Sequence, residues 1–375
     1  AQFASIMGAF KLKETYEEAF RTICGNRYVD DFLLSKKTRQ KCIQALTETQ
    51  KVMATIGVKI HKVMSNDPEV MLAVDQESRM KQWDGKTKLP DQVGALGLLW
   101  NALTDTISIS LANIPKERIK TKRQFLALLA GQFDPLGHLC PFLLVAKLIL
   151  QRMWSMGLEW DEKLPEDLEK ETNEWAEQLQ ELKNLKIPRR VVKGEVVSIH
   201  GYCDASNGGM GACIYAVTKD GKVGLITAKA RVHSLKPRSI QQKELQSAVL
   251  LSQLMVEVRK VYPGVKVTLW TDSTTTLAWI MCDDPRKHII YVHTRVGIIR
   301  DNTEVSEWRH VDTKNNSADP ASRGLSLKDL MQCELFWIGP QYLRDKSVPW
   351  PAEKKFLKTD QDLKKMYQVA EVFVN

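Results

Sequence analysis

An α/β fold is the expectation for this chain: a mixed five-stranded sheet with flanking helices over residues 196–326, preceded by two further segments. Three observations predict it. From Val196 three strand-like runs follow one another at short intervals, 196–204, 211–218 and 222–232. Gly208, Gly209 and Gly211 mark the first turn, and Asp220 with Gly221 the second, which is hairpin chemistry. A long helical pattern over 242–257 then precedes an apolar run, 265–272, of the kind buried in parallel sheets. Helices over 274–280 and 289–300, a last strand over 305–311 and a helix after Pro320 complete the order βββαβααβα, a mixed sheet with helices on its faces.

The preceding residues divide in two. Over 1–112 the pattern mixes helix and strand. Helix is expected at 15–23 and 37–56, where Ile43, Leu46, Val52 and Met53 share one face, and a short hairpin at 27–35 has two acids at its turn. Strands are expected at 58–64, 94–103 and 106–112. Residues 113–195 read as helical, over 120–130, 141–156 and 164–185, the last starting with Pro165 at its first helical position. Pro188, Arg189 and Arg190 read as a linker, and residues from about 326 onward as a polar tail rich in Trp, Pro and Lys.

Composition narrows the function. Hydrophobic residues make up 43% of the 375, a globular share, and no apolar run of about 18 residues suggests a membrane span. The opening Ala1, with no charged-then-apolar leader, sets the expectation of a fragment of something longer without a secretory signal. Seven scattered cysteines lack zinc-ligand spacing and read as reduced thiols of an intracellular protein. Lys and Arg number 54 against 45 Asp and Glu, a net charge of +9, which suits a polyanionic partner but equally a basic protein that binds nothing charged.

Four acids fall at one end of the expected sheet. Asp204 closes the first strand, Glu244 lies in the first turns of the long helix, Asp272 ends the fourth strand and Asp319 begins the last helix. Were the first and fourth strands neighbours, Asp204 and Asp272 would lie side by side, with Glu244 above them. Carboxylates crowded this way repel unless cations sit among them. Mg²⁺ prefers such hard oxygen ligands, and two ions roughly 3.5–4 Å apart suit hydrolysis of a phosphodiester. Taken singly, each acid also fits a local role: Asp204 in a turn, Glu244 in the first helical turns, Asp272 or Asp319 as a helix cap. His310, at the end of the last strand, reads equally as a proton shuttle or a surface imidazole.

Cys203-Asp-Ala-Ser206, Gly209-Met-Gly-Ala212, Lys243-Glu-Leu245, Trp270-Thr-Asp-Ser273 and the run from Asn316 to Gly324 together resemble the ribonuclease H region of retrotransposon polyproteins, and the BEL/Pao group most. The resemblance implies a ribonuclease-H-like fold, two Mg²⁺ ions with Mn²⁺ as a substitute, and metal-ligand roles for Asp204, Glu244, Asp272 and Asp319. It places His310 where the family has a mobile histidine, on a shorter loop here. Tyr28-Val-Asp-Asp31 resembles the catalytic turn of a reverse transcriptase palm, Leu96-Gly-Leu-Leu-Trp100 its primer-supporting strand, and Gln132-Phe-Asp-Pro-Leu-Gly137 the thumb and connection. The stretch from Phe336 to Pro351 resembles the lead-in to an integrase. The expected parts are a truncated palm at 1–112, a helical thumb and connection at 113–195, a ribonuclease H domain at 196–326 and a tail at 327–375.

No Asp precedes Asp30, so the upstream carboxylate a polymerase needs is missing, and Asp30 and Asp31 read as relics. The leading function is endonucleolytic cleavage of the RNA strand of an RNA–DNA hybrid. A non-catalytic nucleic-acid module, a polymerase active only in the full polyprotein, and an integrase-type nuclease compete with it. The intact acids oppose the first, the truncation the second, and the early Glu with a late Asp the third. Ser206, Asn207, Arg238, Arg295 and Lys314 are candidate nucleic-acid contacts. The expected partners are hybrid and the remaining polyprotein, with no membrane, in a cytoplasmic particle to which the nucleus is also open.

Overall fold

The computed structural model describes residues 2–80, 93–95, 97–109 and 117–352. The chain divides into two compact units, Ala1–Ser110 with Lys186–Arg189, and Leu111–Leu185 with Arg190–Asn375.

In the smaller unit, helices Gln2–Lys11, Glu17–Gly25 and Arg39–Thr55 enclose a small core of Ala9, Ala19, Ile23, Val52 and Met53. The expected hairpin is present as Arg27–Tyr28 paired with Asp31–Phe32. Among the described residues the strand expected at 58–64 is not formed; the pairing seen there is a single bridge between Val63 and Arg79. The strand expected over 94–103 is a hairpin of Val93–Ala95 and Leu98–Asn101, with Leu96 outside the described residues. Thr106–Ile109 continues that sheet, residues 110–112 of the expected strand also lying outside the described set. Ile187–Pro188, of which Pro188 is expected as linker, pairs with Thr106 and Ile107 as the fourth strand. Proline at an edge position costs the ladder no donor that a neighbour needs, which is why this sequence reads as coil yet pairs.

The larger unit begins with helices α1 (Lys122–Ala130), α2 (Cys140–Ser155) and α3 (Glu166–Gln178). Helix α3 is shorter than expected: Pro165 is its N-cap, and Leu179–Asn184 tightens into a 3₁₀ turn. Strands β1 (Val196–Ala205), β2 (Gly209–Thr218) and β3 (Val223–Val232) follow as an antiparallel meander. After helix α4 (Ile240–Val261) comes β4 (Lys266–Thr271), then α5 (Thr274–Met281), α6 (Ile290–Asn302) and β5 (Trp308–His310). The sheet order is β5-β4-β1-β2-β3, with β4 parallel to both β1 and β5. The last strand is shorter than expected because Val305–Glu307 coils into a 3₁₀ turn.

One sheet face is covered by α4, α5 and α6. Helix α4 starts at Ser239 in a reciprocal cap with Gln242. Its Leu245, Ala248, Leu251, Met255 and Val258 recur every three or four residues and form one stripe. That stripe packs on Ile199, Cys203, Ala212, Ile214 and Leu269 of the sheet. Gly201 lets it come close: a Cβ there would lie 2.7 Å from Leu251.

The other face is covered by the segments expected to be separate parts. Helix α2 lies over the first hairpin turn, where Cβ atoms at Gly208 and Gly209 would meet Leu148 and Leu144 at 3.0 and 2.8 Å. Gln151 Nε2 donates to the His233 carbonyl at 2.6 Å, and the Ala228 amide donates to the Leu136 carbonyl at 2.9 Å. Helices α7 (Asp319–Arg323), α8 (Leu327–Gln332) and α9 (Glu334–Ile338) complete the layer. Leu327 N donates to Gln178 Oε1, Tyr215 Oη to the Phe336 carbonyl, and the Tyr202 and Tyr342 hydroxyls meet at 2.8 Å. The expected polar tail is therefore folded as far as Pro351, with Leu327, Leu330, Phe336, Tyr342 and Leu343 buried; residues 353–375 lie outside the described set. The boundary expected at 195 likewise separates α2, with α1 and α3 packed against it, from the sheet that α2 covers, although all lie in one compact unit.

If both layers are needed, a chain cut to residues 196–326 keeps only α7 on one sheet face and gives no cooperative thermal transition, whereas residues 117–352 melt in one step. Circular dichroism melts of the two pieces check this; equal, cooperative melting of both would show that the second layer is dispensable.

Candidate metal centre

Register brings the first two acids together. Thr271 pairs with Cys203 across parallel strands, so Asp204 on β1 and Asp272 just past β4 leave the same sheet edge as neighbours. Helix α4 crosses above them and presents Glu244 on its sheet-facing side. Asp204, Glu244 and Asp272 each offer an oxygen within 4.8 Å of the others.

Neighbouring side chains fix two of these groups. Asp204 accepts from Asn316 Nδ2 at 3.4 Å and closely from the Ser322 hydroxyl. Asn316 is itself buried, donating also to the Cys203 carbonyl at 3.0 Å and accepting from the Ala318 amide. Thr313 Oγ1 donates to Asp272 Oδ2 at 2.8 Å. Sequence reasoning named none of these three as site residues. Asn316 and Ser322 sit inside the Asn316–Gly324 run already singled out; Thr313 carries no sequence signal.

Three of the four acids do not take the local roles open to them. Asp204 does not close its turn: Ser206 does, its amide donating to the Gly209 carbonyl at 2.8 Å and its hydroxyl to the Ser322 carbonyl. Ser273, not Asp272, caps α5 by accepting from the Thr276 amide. The N-cap of α7 is Ala318, with Asp319 one residue inside.

Crowding and burial raise two of the three carboxyls. Burial pushes Glu244 up to about 9, reinforced by the charges of Asp204 and Asp272. Asp204 rises to about 6, again mainly by burial; the Ser322 hydrogen bond opposes the rise and Asp272 and Asp319 add to it. Glu244 Oε2 is buried with no hydrogen-bond partner. A buried carboxylate oxygen without a donor, facing two further carboxylates, fits a hard cation well: the ion would supply what the protein withholds.

The other expected residues are placed as follows. Asp319 is outside the three-oxygen group; its carboxylate pairs with Arg323 Nε at 2.5 Å. His310 ends β5 in register with Thr271, one residue from the level of Asp272. Arg238 and Arg295 lie against the ring of Tyr291, at 4.5 and 3.4 Å from its centroid, and Arg238 is exposed. Asn207 is exposed with its carbonyl accepting from Lys243, and Lys314 is exposed in a 3₁₀ turn next to Thr313. The amide of Ser206, a candidate nucleic-acid contact, is spent inside its turn. Asp30 and Asp31 lie exposed at the small hairpin, where Val29 adopts φ +51°.

A mixed sheet in the order β5-β4-β1-β2-β3 with carboxylates at the ends of β1 and β4 defines a ribonuclease-H-like domain. More particularly, residues 121–273 match the family model of the Pao retrotransposon-like RNaseH-like domain. That match starts at α1 and crosses residue 195 without a break, in keeping with the single compact unit. Among solved structures, a foamy viral protease-reverse transcriptase in complex with double-stranded DNA aligns with 82% of this chain at 14% identity and a TM-score of 0.48. The chain spans about half of that protein's length, 49%. RNase H1 of Halobacterium salinarum aligns over 34% of this chain and 92% of its own, at 14% identity and a TM-score of 0.24. The N-terminal RNase H domain of a Mycobacterium tuberculosis protein, fused to maltose binding protein, aligns over 36% and 97%, at 11% identity and a TM-score of 0.25. No curated protein matches the chain. Among the described residues no helix is long and apolar enough to cross a membrane.

The raised Glu244 carboxyl has a consequence for stability. A carboxyl that holds its proton more tightly folded than unfolded makes the native state lose stability as pH rises from the ordinary 4.5 toward about 9. In metal-free buffer, Glu244→Gln removes this dependence. Its melting temperature relative to the parent rises steadily between pH 5 and pH 8. Scanning calorimetry in a chelator reads this directly, and a difference that stays constant with pH would contradict it.

Proposed function

We propose that this chain is a retroelement ribonuclease H that cuts the RNA strand of an RNA–DNA hybrid, with two Mg²⁺ ions, replaceable by Mn²⁺, held by Asp204, Glu244, Asp272 and Asp319. The observation that carries the reading is the carboxylate trio with its unpartnered Glu244 oxygen. Bound ions would activate a water and offset charge on the leaving oxygen. The chain's own groups do the rest. Asn316 and Ser322 fix the orientation of Asp204, and Thr313 that of Asp272. His310, beside Thr271, is assigned proton transfer at the departing strand.

The two guanidiniums at Tyr291 are assigned to phosphates of the hybrid, helped by the +9 charge. Lys314 and the exposed Asn207 are assigned the same duty nearer the carboxylates. Selectivity for hybrid would rest on 2′-hydroxyls across the wide minor groove. In this reading residues 1–112 belong to a reverse transcriptase palm that carries Asp30 and Asp31, 113–195 derive from the thumb and connection, and 327–375 lead toward an integrase. The chain would work as one part of a retrotransposon polyprotein in a cytoplasmic particle.

The test is cleavage of end-labelled RNA, as hybrid and as single strand, by the full chain in Mg²⁺. Asp204→Asn and Asp272→Asn each lower hybrid cleavage by about 10³-fold, about 4 kcal/mol of barrier, while hybrid binding is kept or tightens. Near-parental cleavage by both variants, or equal cutting of single-stranded RNA by the parent, would overturn the reading.

A second measurement addresses binding. Arg238→Ala with Arg295→Ala makes the slope of log K against log salt shallower by about 0.7–0.9 for each phosphate that is no longer neutralised. An unchanged slope in fluorescence-anisotropy titrations would remove these residues from the interface.

A further inference from the structure

The fourth acid is held by a neighbour with no role so far in the metal centre. Asp319 and Arg323 stand four residues apart in Asp319-Pro-Ala-Ser-Arg323, so a single helical turn sets them on one face. In the structure Arg323 Nε meets Asp319 Oδ1 at 2.5 Å. The turn that carries the pair is rigid. Ser322, between them, is tied to Asp204 and to the Asp319 carbonyl. Gly324 ends the helix at φ +86° against α2, where a Cβ would lie 2.9 Å from Val145, and the next amide, of Leu325, donates to the Pro141 carbonyl. The guanidinium is thereby kept at the rim of the carboxylate trio. Its charge reaches beyond its partner: it draws the Asp204 carboxyl down, and Asp204 and Asp272 in turn stabilise its own positive charge.

We propose that Arg323 is a built-in counter-cation that holds Asp319 outside the metal centre and that a second divalent cation must displace to bind. Arg323 is a positioning residue in this account, and the inference rests on the metal-centre reading. It explains why three acids gather within 4.8 Å while the fourth stays out of the group. A site with a bound guanidinium at its edge has part of its negative charge already matched, which favours one resident ion and makes the second conditional. The first cation has the trio to itself. The second needs Asp319, whose Oδ1 is held by Arg323: an ion at that oxygen must displace the guanidinium, and one at Oδ2 would sit beside its positive charge until it swings away.

The experiment counts Mn²⁺ bound to the full chain by the electron paramagnetic resonance signal of the free ion, without substrate, for the parent, Arg323→Gln, Arg323→Lys and Asp319→Asn. The parent is expected to bind one ion and then a weaker second. Arg323→Gln should leave the first affinity within about twofold and tighten the second about tenfold, the effect of removing one positive charge beside the site. Arg323→Lys, which keeps the charge but loses the guanidinium fork, should fall between them and carries the test if the Gln variant does not fold. Asp319→Asn should abolish the second site in either background. A second-site affinity that is unchanged or weaker in Arg323→Gln, with two ions still bound, overturns this inference alone. A parent chain that binds no Mn²⁺ overturns the metal centre and this inference with it.

Discussion

The mutual repulsion of three carboxylates gathered at one sheet edge is the constraint on which the larger unit's design turns. Asp204 and Asp272 are brought together by the parallel pairing of β1 with β4, and a one-residue slip of that register would set them on opposite faces. Glu244 joins them because α4 can sit close over Gly201. Such crowding costs folding free energy unless the charge is matched, and the protein matches it only in part, with the Ser322 and Asn316 donors at Asp204, Thr313 at Asp272 and Arg323 at the rim. One Glu244 oxygen is left with no donor at all. A fold optimised for stability alone would not keep that oxygen buried, so the arrangement is better understood as a site prepared for cations than as a structural network.

Holding acids in place against repulsion needs a stiff support, and the second layer provides it. Helices α2 and α7 clamp the turn after β1 from below: Leu144 and Leu148 fill the space over Gly208 and Gly209, and Ala321 and Ser322 lie where a Cβ on Gly211 would be, at 2.6 to 2.8 Å. The glycines here answer to close approach of a neighbouring element, more than to turn conformation. The same layer gives the carboxylates their donors, since Asn316, Ser322 and Arg323 all belong to the segment that leads into it. Helix α2 is thus part of what shapes the site, with α1 and α3 packed behind it, which accords with the family match running from 121 to 273.

Much of this was legible in the sequence. The meander, the long helix, the buried parallel strand and the acids at their ends follow from periodicity and turn residues, and the Asn316–Gly324 run pointed at the supporting side chains. What was not legible has physical causes. Residues 326–343 read as a polar tail only when taken together with the Lys- and Pro-rich stretch that follows; the segment itself is dense in apolar side chains, and Leu327, Leu330, Phe336, Tyr342 and Leu343 all turn inward. Ile187 and Pro188 carry no strand signal because proline and a single apolar residue give no alternation, and their pairing is made by a distant partner, Thr106 with Ile107. Asp319 lies outside the group and is paired with Arg323; the four-residue spacing of the two is visible in the sequence, but spacing alone does not say that the acid stands apart from the trio.

The central claim is that the carboxylate trio is completed by divalent cations. The direct measurement is the melting temperature of the full chain at pH 8 as Mg²⁺ or Mn²⁺ is raised from none to millimolar. Ions that bind only the folded site should stabilise it progressively, by about 2.7 kcal/mol at a hundredfold excess over Kd. Asp204→Asn and Asp272→Asn should lose that dependence. A melting temperature that does not move with either ion, or that moves equally in the parent and both variants, would contradict the account.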